Sequence, residues 1–161
     1  MRSQLERLAE PVKSKYVSQV TAGGGREADY VAHSVITELL LYVCGPFDYE
    51  ITQTIRNGDI IEGCLARLTV DVDGRRTSIT EAGDITGQEK NNGERMKNAS
   101  SDALKRCAMR LGLGLHLWAQ SSYFLDDALA ARRERMAGDG SCVECGRADD
   151  DHAPICSRRP M

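Results

Sequence analysis

The sequence predicts an α+β domain in which a β-hairpin and a helix precede a three-stranded antiparallel sheet with a long helix packed across it. Three observations predict this fold. Two strand-like stretches flank a glycine-rich turn near the N-terminus, alternating apolar residues mark three further strands, and Glu94 to Leu111 has helical periodicity. The chain has 161 residues, of which 41% are hydrophobic, and this suits one compact domain with a short appendage.

The N-terminal elements are a short helix, a hairpin and a second helix. Residues 3–10 favour a helix, and residues 15–20 and 28–31 favour two strands. Residues 21–25 form the turn between them, because glycine accepts the positive φ angles of tight turns. His33 to Cys44 has the period of a helix with one buried face, with apolar residues at 35, 36, 39, 40 and 43.

Three strands are predicted next, at Phe47 to Arg56, Ile60 to Val72 and Arg75 to Glu81. Asp73-Gly74 is a strong hairpin signal between the last two. The middle strand places one set of side chains towards the core, Cys64, Ala66, Leu68, Val70 and Val72, and another towards solvent, Arg67, Thr69 and Asp71. Cys44, Cys64 and Cys107 fall on apolar faces and are interpreted as core residues, reduced inside a cell.

The C-terminal half is expected to be helical. A polar loop from Ala82 to Gly93 leads to the long helix, which Gly112-Leu113-Gly114 ends. A further helix is predicted from Leu115 to Met136, held on the domain by the aromatic residues Trp118, Tyr123 and Phe124. We divide the chain into a core at residues 1–137 and a linker with a small unit at residues 138–161.

The long helix carries cations on the face opposite its apolar side. On a helical wheel the apolar side contains Met96, Ser100, Ala103, Leu104, Cys107, Ala108 and Leu111. The other side contains Arg95, Asn98, Asp102, Lys105, Arg106 and Met109, with Arg110 at its edge. This pattern fits a solvated surface or a ridge that binds phosphates. Composition does not choose between them, and the formal net charge of -3 weighs against a nucleic-acid partner.

Two segments resemble a known family. The first runs from Tyr16-Val17-Ser18 through Ala22-Gly23-Gly24-Gly25 to Tyr30-Val31, His33 and Val35-Ile36. The second is Asp102-Ala103-Leu104-Lys105-Arg106, followed by Gly112. In order and spacing both are similar to signature stretches of the Rad52 single-strand annealing family, and the resemblance extends over residues 8–125. It implies an oligomeric ring with single-stranded DNA in a basic groove and its bases turned outward.

The resemblance also implies which residues bind DNA. Lys105 and Arg106 match two groove-lining cations, and Gly23 to Gly25 match the hairpin that overhangs the groove. Two departures occur: Ser34 stands where the family has an arginine beside His33, and Met109 replaces a basic residue, with Arg110 one place later. We expect replacements to come from Arg26, Arg95 or Lys97, chosen by their proximity in sequence and on the wheel.

The expected activity is ATP-independent annealing of complementary DNA strands in recombination and repair, without catalysis. Aromatic residues are only 5% of the chain, which fits binding through phosphates rather than through base stacking. No Gly-x-x-x-x-Gly-Lys-Ser/Thr loop for nucleotides is present. The alternatives are a monomeric double-stranded RNA-binding module, which has a similar order of elements, and, more remotely, a zinc-dependent nucleic-acid enzyme.

The C-terminal unit has the spacing of a zinc site. Cys142-x-x-Cys145 followed by His152 and Cys156 supplies four ligands for a structural Zn²⁺ ion. The unit is outside the family resemblance, and we expect it to bind DNA or a protein partner such as a single-strand binding or replication protein.

His33 and His116 are interpreted as structural residues and not as metal ligands. No apolar run is long enough for a membrane span, and we expect a cytoplasmic, nucleoid-associated protein of a bacterium or a phage-infected host.

Overall fold

The structure is a computed structural model that describes residues 2–22, 25–85, 88–119 and 123–138. In chain order its helices and strands are α1 (Gln4–Ala9), β1 (Val17–Ala22), β2 (Arg26–Val31), α2 (His33–Cys44), β3 (Asp48–Asn57), β4 (Ile60–Val72), β5 (Arg75–Asp84), α3 (Asn92–Arg110) and α4 (Leu125–Gly138). Short 3₁₀ turns lie at Ser14–Tyr16 and Leu115–Leu117. The predicted α+β fold is therefore confirmed.

The strands form two separate antiparallel sheets. β1 pairs with β2 as a hairpin, and β3, β4 and β5 form a meander with β4 in the centre. The β4–β5 turn has Asp73 at φ 48° and Gly74 at φ 76°, as a tight hairpin of this sequence requires. The Asp73 carboxylate accepts hydrogen bonds from the backbone N–H groups of Gln4 (2.7 Å) and Leu5 (3.2 Å), which ties the start of α1 to the sheet.

The alternation of β4 separates core from solvent as predicted. Cys64, Ala66, Leu68 and Val70 are buried beneath α3, whereas Arg67 on the opposite face is exposed. Leu68 and Val70 belong to the main core, which also contains residues from α1, α2 and α3 with its C-terminal end, namely Leu8, Ile36, Leu40, Val43, Leu104, Cys107, Ala108 and Leu111. One face of α3 is thereby immobilised, and its other face is left for solvent or a ligand.

Small residues bring α3 unusually close to the sheet. Ala99 and Ala103 of α3 pack against Cys64 and Ala66 of β4 in a second, smaller core. At Gly83 of β5 a methyl group would lie 1.8 Å from the Ala99 carbonyl oxygen and 2.8 Å from the Ala103 nitrogen. Because both neighbours are backbone atoms, only glycine permits this approach.

The N-terminal turn of α3 forms hydrogen bonds with β4 beside a β-bulge. The register passes from Ile55–Gly63 to Arg56–Ile61, so that Glu62 is the extra residue of a β-bulge. The Ile61 N–H donates to Asn92 Oδ1 (3.0 Å), and the Ile61 carbonyl accepts from Arg95 Nε (2.5 Å). Two α3 side chains therefore take up the hydrogen-bonding groups of Ile61, next to the bulge.

Several predicted boundaries in the C-terminal half need correction. The segment predicted as a loop at residues 82–93 is shorter, because β5 continues to Asp84 and Asn91 caps α3 through its side chain (3.0 Å to the Glu94 N–H). The helix predicted from Leu115 to Met136 is wrong in its first part. Gly114, at φ 72°, begins an isolated 3₁₀ turn, and α4 starts only at Leu125.

The prediction that three aromatic residues pack the last helix onto the domain is correct for Tyr123 alone. The Tyr123 hydroxyl donates to the Ala9 carbonyl (2.6 Å). Trp118 is 52% exposed and Phe124 is 73% exposed, so neither anchors α4. An ion pair between Arg133 and Glu6 (3.6 Å) supplies a further contact between α4 and α1.

Candidate nucleic-acid interface

The polar face of α3 lines a groove of about 430 Å³, which we name the basic groove. Helical spacing of four residues places two rows of side chains along it, Lys97, Ser101 and Lys105 in one and Asn98, Asp102 and Arg106 in the other. The opposite wall comes from Tyr30 of β2 and His33 at the start of α2, and the end of β5 closes it with Asp84 and Ile85. The groove thus lies between the hairpin and the long helix.

Asp102 organises the cations of the basic groove. Its Oδ2 accepts from Arg106 Nε (2.7 Å), and its Oδ1 lies 3.9 Å from Lys105 Nζ. Oδ2 also accepts from the backbone N–H of Asp84 (3.2 Å), which joins α3 to the end of β5. One carboxylate therefore orients both predicted phosphate ligands and at the same time offsets part of their charge.

Aromatic rings also contact the same two cations. Lys105 Nζ lies 4.9 Å from the ring centroid of Tyr30, and the Arg106 guanidinium lies 5.6 Å from that of Trp118. These are cation–π distances. The accessible fractions of the Lys105 and Arg106 side chains are 24% and 37%, so that each cation is partly fixed and still open to a ligand.

The structure brings three of the six predicted DNA-binding residues together: Lys97, Lys105 and Arg106. Arg95 is turned towards the sheet, where it binds the Ile61 carbonyl. Arg110 pairs with Glu81 of β5, with 2.5 Å between Nε and Oε1. Arg26 begins β2, but its side chain lies outside the described part of the chain.

Neither of the two residues that differ from the family pattern, Ser34 and Met109, contributes to the basic groove. Ser34 is exposed in the first turn of α2, and Met109 is half-buried on α3, one turn beyond Lys105. The residues that line the groove include neither of them. Lys97, one turn before Ser101, supplies a third cation at the other end of the same helix face.

Sequence reasoning missed four participants in the site. Tyr30 entered only through the resemblance, His33 was interpreted as structural, and Trp118 was interpreted as a packing residue. Asp102 was placed on the polar face without a role, although its spacing to Arg106 is that of a helical ion pair. The i,i+3 and i,i+4 spacing of Asp102 to Lys105 and Arg106 is the sequence signal that could have identified this interaction.

The remaining titratable groups fit structural roles. Burial raises the pKa of the Cys64 and Cys107 thiols, which keeps them protonated and unreactive. Burial has the opposite effect on His116, because it disfavours the charged imidazolium and so lowers the pKa. The His116 ring packs edge-on against Tyr123 with 6.0 Å between centroids.

Within the described ranges no three His, Cys, Asp or Glu side chains cluster as metal ligands. The predicted zinc ligands Cys142, Cys145, His152 and Cys156 all fall outside those ranges.

The hairpin, the sheet and the cation-lined face of α3 define an α+β domain with a cation-lined groove. None of the helices described has the length and apolar character that crossing a membrane requires. The profile of the Rad52/22 family of double-strand break repair proteins matches residues 1–134. The chain therefore belongs to this family of DNA repair and recombination proteins. A search of curated proteins finds none that matches the chain.

Proposed function

We propose that the protein binds single-stranded DNA by its phosphates in the basic groove and anneals complementary strands without ATP. The observation that carries the proposal is that Lys97, Lys105 and Arg106 lie on one face of α3, opposite the hairpin. Family membership supports a role in DNA repair and recombination. The phosphate chain would occupy the groove while most bases remain free to pair.

The local charge of the groove favours a polyanion despite the overall charge of -3. Three cations outnumber the two carboxylates of Asp84 and Asp102 that also line it. His33 begins α2, a helix of 12 residues, so the positive end of its dipole lies at the same wall. Cationic contacts of this kind are independent of base sequence, as annealing of arbitrary complements requires.

We propose further that protomers assemble side by side into a ring. A groove of about 430 Å³ accommodates only a few nucleotides, so a longer strand needs a continuous series of grooves. Large apolar side chains on α2 and β3 are exposed, among them Tyr42 (76%), Leu41 (50%) and Ile51 (42%). Exposed apolar surface of this kind is typical of protein–protein contacts.

No catalytic step is required for this activity. Forming a duplex releases about 1.4 kcal/mol per stacked base pair, so the protein needs only to reduce phosphate repulsion and hold strands extended. The sequence has no phosphate-binding loop for a nucleotide. We therefore propose that the protein is a binding protein and not an enzyme.

The decisive experiment is the double variant Lys105→Ala/Arg106→Ala. We expect loss of single-stranded DNA binding and of annealing, with the oligomer intact by sizing chromatography. If some affinity remains, the slope of log affinity against log salt should fall by about 1.4, because each lost phosphate contact on a single strand removes about 0.7.

The matched control is Arg132→Ala/Arg135→Ala, which removes the same charge from exposed positions of α4. It should leave binding unchanged. An equal loss in the control, or full binding by the Lys105/Arg106 variant, would reject the groove assignment.

The family match favours this proposal over a double-stranded RNA-binding module. The chain does contain the order of helix, three strands and helix that the alternative requires, as α2, β3–β5 and α3. The β1–β2 hairpin and the groove beneath it are additional to that order. A monomer on sizing chromatography with preference for A-form duplex would favour the RNA module instead.

We also propose a structural zinc ion on Cys142, Cys145, His152 and Cys156, in a unit that contacts DNA or a single-strand binding or replication protein. Metal analysis should give one zinc per chain, and Cys142→Ser/Cys145→Ser should remove it without disrupting the core at residues 1–137. Cleavage or deamination of an oligonucleotide that stops on chelation would instead support the zinc enzyme. We propose, in addition, that the protein comes from a bacterium or a phage and is associated with the nucleoid.

A further inference from the structure

A second cavity adjoins the basic groove on the hairpin side. It has a volume of about 520 Å³, and we name it the hairpin pocket. Tyr30 and Lys105 line both cavities, so this cation–π pair is the partition between them. A strand whose phosphates lie in the basic groove therefore passes directly beside the hairpin pocket.

The hairpin pocket has the opposite electrostatic character from the groove. Its rim carries Glu27, Asp29 and Gln19, and Lys105 at the partition is its one lining cation among the described residues. Asp29 Oδ1 accepts from Gln19 Nε2 (2.5 Å), and Glu27 Oε1 accepts from Thr21 (3.3 Å), which holds both carboxylates in place. Two carboxylates repel a phosphate, so the ligand of this pocket is neutral or cationic and donates hydrogen bonds.

The interior of the hairpin pocket is apolar and aromatic. Val31, Ile36 and Leu113 are buried in its floor, and Trp118 stands at its edge. Trp118 is 52% exposed, although large aromatic side chains are usually buried when they serve packing alone. An apolar floor, an exposed indole and a few polar groups on the rim are the features of a pocket for a flat heterocycle.

We infer that the hairpin pocket receives one nucleobase from the strand whose phosphates occupy the basic groove. The base stacks on Trp118 and presents its pairing edge to Asp29 and Glu27. Carboxylates accept hydrogen bonds from the amino groups of cytosine, adenine and guanine, whereas the pairing edge of thymine offers one N3–H between two carbonyl oxygens that the carboxylates repel. The pocket therefore prefers amino-bearing bases over thymine. The remaining bases of the bound segment stay free for pairing.

This inference rests on the proposed function, and the tryptophan provides a direct test. Trp118 is the only tryptophan of the chain, so tryptophan fluorescence reports on its surroundings, the hairpin pocket and the neighbouring Arg106, and an abasic chain separates the two. The probes are oligo(dC), oligo(dT) and an abasic oligonucleotide of the same length, titrated into the full-length protein. We expect strong quenching by oligo(dC), weaker quenching by oligo(dT) and little change with the abasic chain, although all three bind.

Two variants separate base stacking from phosphate binding. Trp118→Ala should lower affinity for oligo(dC) by about tenfold, the scale of one lost stacking contact. Its affinity for the abasic chain, measured by anisotropy of a labelled oligonucleotide, should fall by much less, because only the cation–π contact of Trp118 with Arg106 is lost there. The matched control is Phe124→Ala, which removes a 73% exposed aromatic ring outside the pocket and should have no effect.

Asp29→Asn tests the rim chemistry without removing bulk. The amide keeps an oxygen that can accept from Gln19, and it adds donors for the O4 of thymine. The ratio of oligo(dC) to oligo(dT) affinity should fall. The inference is overturned if the abasic chain quenches Trp118 as strongly as oligo(dC), or if the wild-type protein prefers oligo(dT). Loss of abasic binding in Lys105→Ala/Arg106→Ala would still support the proposed function in either case.

Discussion

Asp102→Asn is the substitution that tests how the basic groove sets its own affinity. The carboxylate accepts from Arg106 at 2.7 Å and lies 3.9 Å from Lys105, so it competes with a DNA phosphate for both cations. Asparagine has nearly the same shape and can still accept from the Asp84 N–H. The substitution therefore removes the charge and retains the link between α3 and β5.

The size of the expected gain in DNA affinity follows from how exposed the ion pairs of Asp102 are. Asp102 is 23% accessible and Lys105 24%, and partly exposed helical ion pairs contribute about 0.3–0.5 kcal/mol each. Releasing two such pairs makes up to about 1 kcal/mol available to the phosphate, or roughly fivefold tighter binding. The gain should be largest at low salt and should disappear as salt screens the groove.

Fluorescence anisotropy of a labelled oligonucleotide at several salt concentrations measures this gain. Asp127→Asn, at an exposed position of α4, is the control for the change in net charge and should shift affinity much less. An unchanged or weaker affinity of Asp102→Asn at low salt would refute the competition argument. Asp102 would then act by orienting Lys105 and Arg106, and its loss would disorder them.

Three further substitutions test the framework of the site. Gly83→Ala should lower the free energy of unfolding in urea by about 3 kcal/mol or more, because its methyl meets α3 backbone, whereas Gly93→Ala should change it by about 1 kcal/mol or less. Arg95→Ala should destabilise the fold by about 1–3 kcal/mol, because it removes the donor to the Ile61 carbonyl, and folded protein should keep its DNA affinity; a selective loss of affinity would make Arg95 a DNA ligand. Burial lowers the pKa of His116 below its unfolded value of about 6.5, so stability should be full above that pH and fall as the pH drops towards the folded pKa. His116→Gln should flatten this dependence between pH 7.5 and 5, and an unaltered profile would exclude His116 as its source.

Local patterns predicted most of the fold, because its elements follow simple periodicities. The alternation from Cys64 to Val70 identified the buried face of β4, and Asp73-Gly74 marked the hairpin at residues that adopt positive φ. The start of the last helix was predicted wrongly, since the apolar residues near Leu115 suit a 3₁₀ turn as well as a helix. Gly114, at φ 72°, decides between the two by tertiary context, which a sequence pattern does not contain.

The candidate site was predictable along one helix and no further. Lys105 and Arg106 share a helix face, so their neighbourhood follows from spacing alone. Arg95 lies on the same polar side of a wheel, yet its guanidinium turns to the β4 bulge because Ile61 presents a carbonyl there. Tyr30, His33 and Trp118 reach the groove from three other segments, and their convergence depends on how the hairpin, α2 and the turn after α3 pack.

The contrast between the two cavities bears on how an annealing protein releases its product. A groove lined by cations alone would bind single-stranded and double-stranded DNA alike, since both present phosphates to the cations. Here Asp102 offsets part of the charge of Lys105 and Arg106, while Asp29 and Glu27 would repel phosphate from the adjoining hairpin pocket. A base held in that pocket can pair with a complement only by leaving it, and stacking in the new duplex compensates for the contact with Trp118. Pairing would therefore weaken the hold of the protein on the strand at the point where the duplex forms, which couples annealing to release without nucleotide hydrolysis.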